Sequence, residues 1–99
     1  MNVAKLMQQA QRAQAEVQRS LSELEVEGSA GGGLVKVKLN GLKELRGVVI
    51  DRQALAGDDP SLVEDLVVAA WEEATRQLVQ RSAEILGRLG LPPGLGGLV

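Results

Sequence analysis

Residues 31–51 read GGGLVKVKLNGLKELRGVVID, and this stretch decides the fold. Val35, Val37 and Leu39 alternate with lysines, a period of two that is typical of a strand with one buried face. Residues 48–50 supply a second, β-branched run. We therefore predict two strands in this stretch.

The dipeptide Asn40-Gly41 separates the two runs. It tolerates positive φ at both centres of a tight turn, so it favours an antiparallel hairpin. An even number of loop residues places Val48 and Ile50 on the same face as the apolar residues of the first run. Because a sheet this small cannot cover that face by itself, we expect the flanking helices to do so.

Residues 2–24 are predicted to form a long helix, because they are rich in Ala, Gln, Leu, Glu and Arg and contain neither Gly nor Pro. Apolar residues recur along it at heptad-like spacing and predict one apolar seam. The seam consists of Val3, Leu6, Ala10, Ala13, Val17 and Leu24.

Lys5, Arg12 and Arg19 also recur every seven residues and form one cationic stripe on this helix. One interpretation is a solvated face without further role. The other is a phosphate-binding face, which the neighbouring glutamines favour because they add no negative charge.

A short first strand is predicted at residues 25–28, followed by a glycine-rich loop at residues 29–33. Freed backbone N–H groups in such a loop can hold a phosphate. However, no Gly-Lys-Ser/Thr follows, and the loop leads into a strand, so we interpret it as a hairpin connection. The three strands then form an antiparallel meander.

A second long helix is predicted to begin with Asp59 as N-cap and Pro60 at its first position, and to end near Leu86 or Leu89. Its first half is apolar on more than one side, as in a helix that contacts its own sheet and a second protomer; a well-buried helix has the same pattern. The predicted seam consists of Leu62, Leu66, Val67, Ala70, Trp71, Ala74, Leu78 and Ile85.

The last residues, LPPGLGGLV at 91–99, are apolar but too rich in Gly and Pro for regular structure. They form either a disordered end or a strap over a neighbouring surface, and we expect disorder. The predicted organisation is a single domain over residues 1–90 with this tail.

The two helices are longer than the sheet. Two helices of about 24 residues are each roughly 36 Å long, whereas a strand spans about 20 Å, so the basic ends of the helices are expected to protrude as arms.

The composition narrows the class of protein. The 99 residues include no Cys, His, Phe or Tyr and one Trp, so the core is aliphatic, and we expect an oligomer to supply missing burial. No disulfide framework or thiolate zinc site is possible, and no serine has a usual base partner, so we expect neither an enzyme nor a cofactor or metal.

No signal peptide or membrane span is evident. We therefore expect a cytoplasmic protein without a membrane partner or small-molecule substrate.

The net charge of −2 is unevenly distributed. Residues 51–73 contain seven acids and one base, whereas the segments on either side are mildly basic. Because local charge matters more than the sum, a nucleic-acid partner stays possible.

Several words of the sequence, in the order helix, three-stranded meander, long helix, resemble the YbaB/EbfC family of bacterial nucleoid-associated proteins. The resemblance covers nearly the whole chain and implies an α+β fold with a long N-terminal helix, a three-stranded antiparallel meander and a long C-terminal helix. It further implies a tweezer-like homodimer that binds DNA through its protruding helices with little sequence specificity and organises the nucleoid. The matching words are Leu6 to Gln11, Gly31 to Gly41, Val48 to Asp51, Glu64 to Val67, Ala69-Ala70, Ala74 and Leu91 to Gly94.

Two positions of the second helix depart from the family pattern. Glu72 stands where members usually have Asn, and Gln77 stands where a second basic residue often follows the one matched by Arg76. Both differences reduce the positive charge of this helix.

Two functional hypotheses follow. The first is a homodimer that binds duplex DNA through backbone phosphates. The second is a protein-interaction module, a small dimeric adaptor in which DNA binding is incidental. The predicted DNA-binding residues are Lys5, Arg12 and Arg19 on the first helix and Arg76, Arg81 and Arg88 on the second.

Overall fold

A computed structural model describes residues 2–91 of the chain. It contains two helices and three strands in the predicted order, an α+β fold. The elements are α1 (Val3–Glu23), β1 (Glu25–Ala30), β2 (Val35–Asn40), β3 (Leu45–Ile50) and α2 (Pro60–Arg88).

Helix α1 begins after the N-cap Asn2, whose side chain accepts the backbone N–H of Lys5 at 3.3 Å. It ends where Leu24 adopts an extended conformation (φ −69°, ψ 130°) and the chain enters β1. Leu21 is the one fully buried residue of the helix, and every residue before Val17 is exposed. Of the predicted apolar seam, only Val17, which is half-buried, and Leu24, the C-cap, are covered, and the buried Leu21 was not predicted as part of it.

The sheet is an antiparallel meander in the order β1-β2-β3. Gly31, Gly32 and Gly33 connect β1 to β2 with φ values of 65°, 69° and 97°. Glycine occupies all three positions because each of them has positive φ, which other residues adopt only at a cost. The loop is thus the predicted hairpin connection, but it spans residues 31–34 rather than 29–33, because Ser29 and Ala30 pair with β2.

The second hairpin has the predicted face but a different turn. Val35 lies opposite Ile50, and Val37 opposite Val48, so these residues share one face as predicted. The prediction of positive φ at Asn40-Gly41 was wrong: neither residue has positive φ, and the one non-glycine residue of the described chain that does is Lys43, at 66°.

The turn takes another course because Asn40 completes β2 and uses its side chain inside the loop. Its Oδ1 accepts the backbone N–H groups of Leu42 (3.0 Å) and Glu44 (2.9 Å). The four residues from Gly41 to Glu44 then form the loop, and the register shifts between Lys38 and Leu39.

Helix α2 has the predicted start. Asp59 is the N-cap, its carboxylate accepts the N–H of Ser61 at 2.9 Å, and Pro60 occupies the first turn. The helix ends at Arg88 with Leu89 as C-cap, and beyond it Gly90 (φ 76°) turns the chain so that the N–H of Leu91 donates to the carbonyl of Leu86 at 2.8 Å. This is a Schellman motif, with glycine in the left-handed position.

The core lies between α2 and the first two strands. Ala70, Ala74 and Leu78, spaced four residues apart, are buried along α2. The sheet contributes Val26, Val35, Val37 and Leu39, and Leu24 and Leu55 complete the cluster. Strand β3 is not covered by α2 in the way that β1 and β2 are. Leu45 and Val48 of β3 therefore remain 55% and 41% exposed.

The described part of the molecule is elongated, with principal-axis extents of 68 × 18 × 17 Å. At 1.5 Å per residue, α2 is about 43 Å long and α1 about 31 Å, so the longest extent requires them to lie roughly end to end. α1 is consequently a free arm, as predicted. α2 is not a second free arm, because Ser82 and Leu86 near its C-terminus are buried. The prediction for the tail concerns residues that, apart from Leu91, lie outside the described part.

Candidate nucleic-acid interface

Three basic residues of α1 lie together on the arm. Lys5, Arg12 and Arg19 are all exposed, and none of them forms an ion pair with another residue in the range 2–91. Glu16 and Glu23 follow the two arginines by four residues without pairing with them in the structure. The positive charges of Lys5, Arg12 and Arg19 are therefore available to an anionic partner.

The three cations occupy the face of α1 opposite its anchoring face. At 100° per residue, each lies about 160–200° around the helix from the buried Leu21. The anchoring side, which attaches the arm to the body, therefore points away from the cationic side. A ligand can reach all three cations without displacing the anchor.

The spacing of these cations suits an extended polyanion. Lys5 and Arg19 are fourteen residues apart, a rise of about 21 Å along the helix. Duplex DNA carries one negative charge per about 1.7 Å of its axis, so this span faces about a dozen phosphate charges. The stripe can thus contact several phosphates from one side.

The predicted cations of α2 are arranged differently. Nη2 of Arg76 lies 3.3 Å from Oε2 of Glu73, and Nε of Arg81 lies 4.0 Å from Oε2 of Glu84. Arg76 is also about 140° around the helix from Arg81, so the two do not share a face. The structure brings the three cations of α1 together and does not bring the three of α2 together.

Arg88 lies where the two helices meet. A cleft of about 370 Å³ opens between their C-terminal ends. It is lined by Ser20 and Glu23 of α1 and by Ile85, Arg88 and Leu89. Arg88 is therefore at the base of the arm, near the end of α1 that carries Arg19.

Lysines on the sheet are partly neutralised. Nζ of Lys36 and Nζ of Lys38 each lie 4.0 Å from a carboxylate oxygen of Glu27 on the neighbouring strand. Both side chains remain more than two-fifths exposed, so these pairs contribute little stability. They leave the sheet without a strong excess of positive charge.

Lys43 is an exposed base that the sequence analysis did not single out. It lies in the β2–β3 loop, whose Gly41 contacts the last turn of α1, and it has no ion-pair partner among the described residues. No periodicity marks it, since its position depends on how the loop folds against the helix.

Two carboxylates on α2 are held in their charged form. Hydrogen bonds from the backbone and side chain of Ser61 lower the pKa of Asp59 below 3.8. Hydrogen bonds from Gln77 and then Arg76 lower the pKa of Glu73 below 4.5. Glu73 and Arg76 are thus engaged with each other, unlike the three cations of the arm.

The described residues lack two kinds of feature. No helix within 2–91 is long and apolar enough to cross a membrane. Over the same range, no three His, Cys, Asp or Glu residues converge as a metal site.

The model of the YbaB/EbfC DNA-binding family matches residues 1–91. The chain belongs to this family. A nucleoid-associated protein of Xylella fastidiosa is 46% identical over 94% of this chain and 92% of its own length. Nucleoid-associated proteins of Xanthomonas campestris (46%) and Rhodopseudomonas palustris (43%) are similar over 95% and 92% of this chain.

A solved structure supports the fold of this family member. The crystal structure of an uncharacterized protein from Helicobacter pylori aligns with a TM-score of 0.62 over 81% of this chain and 93% of that chain. At 20% identity, the likeness concerns the fold alone. The family consists of DNA-binding proteins rather than enzymes, which confirms the expectation drawn from the sequence.

Proposed function

We propose that this YbaB/EbfC protein is a cytoplasmic homodimer that binds duplex DNA in the nucleoid through backbone phosphates, with little sequence specificity. In this role it organises or protects the nucleoid and thereby affects gene expression. The observation that carries the proposal is the α1 arm, on which Lys5, Arg12 and Arg19 form an exposed stripe free of ion pairs within residues 2–91.

Phosphate contacts explain weak sequence specificity. Base readout requires side chains that enter a groove and form paired hydrogen bonds with base edges. A straight row of separated cations on an exposed helix instead neutralises backbone charge, which is the same for every sequence.

The arginines of α2 are the second part of the proposed interface. Arg76 and Arg81 can exchange their partners Glu73 and Glu84 for phosphates at small cost, because exposed ion pairs typically contribute only about 0.2–1 kcal/mol. Arg88, at the base of the arm, extends the contact beyond Arg19. Their contribution is therefore expected to be smaller per residue than that of the α1 stripe.

The proposed dimer rests on apolar surface that one chain leaves uncovered. Val3 and Met7 lie within about 40° of Leu21 around α1, yet they are 66% and 60% exposed. Val48 of β3 and Trp71 of α2 are each 41% exposed beside the core. A small monomer seldom exposes so many large apolar side chains, and a second copy of the chain supplies matching surface.

Dimerisation and DNA binding use opposite faces of α1 in this proposal. The apolar side of the arm contacts the partner, and the cationic side stays exposed. Two arms at a fixed separation then offer at least six cations to one duplex, which is how a chain of net charge −2 binds a polyanion.

The experiment is an anisotropy titration with two unrelated duplexes of equal length at several salt concentrations. If about four phosphates are neutralised, log affinity falls with log salt with a slope of about −3.6, or roughly 150-fold between 50 and 200 mM. Both duplexes should behave alike. A strong preference for one of them would instead indicate base readout.

A charge-reversal pair locates the interface. Arg12→Glu with Arg19→Glu should abolish binding and leave the dimer intact. The double variant Arg46→Glu with Arg52→Glu changes the net charge equally at exposed positions outside both helices, and it should retain binding. Equal losses in both variants would mean that net charge, not the arm, governs affinity.

The second candidate is a protein-interaction module. Val68 and Val79 on α2 are 56% and 65% exposed, and they lie within about 20° of each other around the helix, near Trp71. This side of α2 suits an apolar partner. In that case the Arg12→Glu, Arg19→Glu variant would lose DNA binding without losing its cellular function.

A further inference from the structure

The loop between β2 and β3 caps the C-terminal end of α1. The N–H of Gly41 donates to the carbonyl of Leu21 at 2.8 Å and to that of Leu24 at 3.1 Å. Near the end of a helix the carbonyls lose their usual N–H partners, and that of Leu21 otherwise accepts only the N–H that Leu24 shares with Ser20, at 3.2 Å. The Gly41 amide gives it a second, shorter hydrogen bond. The arm is thus joined to the sheet by backbone hydrogen bonds.

Gly41 is required at this contact for reasons of space. The residue is buried, and a Cβ built on it would lie 2.9 Å from both the carbonyl carbon and the Cα of Leu21. These are backbone atoms, which cannot turn aside as a side chain can. Because Gly41 does not have positive φ, its missing side chain serves close approach rather than an unusual conformation.

Asn40 holds the loop in the shape that presents Gly41. Besides accepting two backbone N–H groups, its Nδ2 donates to Oε1 of Glu44 at 2.8 Å. Its own N–H donates to the carbonyl of Glu44 at 3.1 Å. Asn40 is only 4% exposed, and the loop is therefore a hydrogen-bonded unit rather than a flexible connection.

The arm has few other attachments. Leu21 is the one buried residue of α1, and residues 3–16 are exposed along their whole length. Lys5 lies sixteen residues from Leu21, about 24 Å along the helix, so a tilt of 10° at the base moves it by about 4 Å. That displacement is larger than the tolerance of a hydrogen bond.

We propose that the loop from Asn40 to Glu44 is a positioning element that sets the direction of the α1 arm, with Gly41 as its central residue. The inference rests on the proposed function, in which the direction of the arm decides which phosphates its cations reach. It concerns how the arm is aimed, and Gly41 itself does not contact DNA.

The test compares Gly41→Ala with Gly47→Ala. A Cβ on Gly47 meets no atom within 4 Å, so that variant is a matched control for adding a methyl group to the same hairpin. Residual dipolar couplings of backbone amides, measured on the free protein, report the orientation of α1 relative to the sheet. Gly41→Ala should change the α1 couplings while the sheet couplings keep their pattern, and Gly47→Ala should change neither. Unchanged α1 couplings in Gly41→Ala would overturn the inference.

A salt titration with duplex DNA then separates the inference from the proposed function. A misdirected arm loses phosphate contacts, so the slope of log affinity against log salt should become shallower by at least about 0.9 in Gly41→Ala. Mere destabilisation lowers the active fraction and leaves the slope unchanged. A reoriented arm with an unchanged slope would refute the role of the loop in DNA binding, whereas a wild-type protein without DNA binding would refute the proposed function instead.

If Gly41→Ala does not fold, Asn40→Ala provides the second variant. It removes the hydrogen bonds of the Asn40 side chain to Leu42 and Glu44 without adding atoms at the α1 contact. The α1 couplings should then shrink, because the arm samples more orientations, and the slope should again become shallower. Couplings and slope equal to those of the wild type would overturn the inference.

Discussion

Gly28 of β1 lies directly beneath the backbone of Ala74 in α2. A Cβ on Gly28 would come within 2.8 Å of the Ala74 Cα and closer still to the carbonyl of Ala70. Small residues on both elements thus let the helix approach the sheet closely. This contact brings α2 onto the first two strands and so fixes the frame from which the arm projects.

The Gly28→Ala variant should therefore be destabilised by about 1–3 kcal/mol, the usual cost of overpacking. The added methyl meets backbone atoms, so the helix must shift as a whole. Urea unfolding followed by circular dichroism measures the effect at a fixed protein concentration. Gly47→Ala, with open space around its Cβ, should stay within about 1 kcal/mol of the wild type, and equal midpoints for all three proteins would contradict the packing argument.

The sequence was sufficient to predict local structure wherever one residue type is favoured by the local backbone conformation or by a helix cap. Asp59 and Pro60 mark the start of α2, and the glycines at residues 31–33 mark a turn, because capping and positive φ depend on neighbouring residues only. The shared face of Val35, Val37, Val48 and Ile50 follows in the same way from alternation, whereas the register shift between Lys38 and Leu39 does not.

The sequence was insufficient where distant segments meet. Asn40-Gly41 has the pattern of a tight turn, but Gly41 is needed for its approach to Leu21, twenty residues earlier. Likewise, the pattern of α2 gave no reason to expect that its last turns would pack beside α1. The approach of Gly41 to Leu21 and the packing of α2 beside α1 both depend on tertiary contacts, which the periodicity of the sequence does not indicate.

The apolar face of the arm provides a test of the dimer. Val3→Glu with Met7→Glu places two charges on the side that faces the proposed partner, so the dimer should dissociate at least tenfold more readily. Sedimentation measures the dissociation without DNA. Gln8→Glu with Gln9→Glu adds the same charge about 100–160° away around the helix and should leave the dimer unchanged. Dimers of equal strength in both variants would place the interface elsewhere.

The N-cap of α2 should produce an acid-dependent loss of stability. The pKa of Asp59 is lowered in the folded state by its hydrogen bonds with Ser61, so its contribution is fully present above the ordinary value of 3.8. It is lost as the pH falls through the lower, folded value. Asn also caps helices but does not titrate here, so thermal unfolding of Asp59→Asn should lack this component of the pH dependence. Parallel melting curves for the two proteins between pH 5 and pH 2 would contradict the assignment.

Individual cations of the arm should differ from those of α2 in their effect on DNA binding. Arg12 is unpaired within residues 2–91, so Arg12→Gln removes one phosphate contact and should reduce the salt slope by about 0.9 per binding arm. Arg76 must first leave Glu73, so Arg76→Gln should weaken binding less at equal salt. Neither variant alters a buried residue, and circular dichroism should show that both fold as the wild type does. A larger loss for Arg76→Gln than for Arg12→Gln would show that the main DNA contact lies on α2 rather than on the arm. The cationic face of α1 would then not be needed for DNA binding.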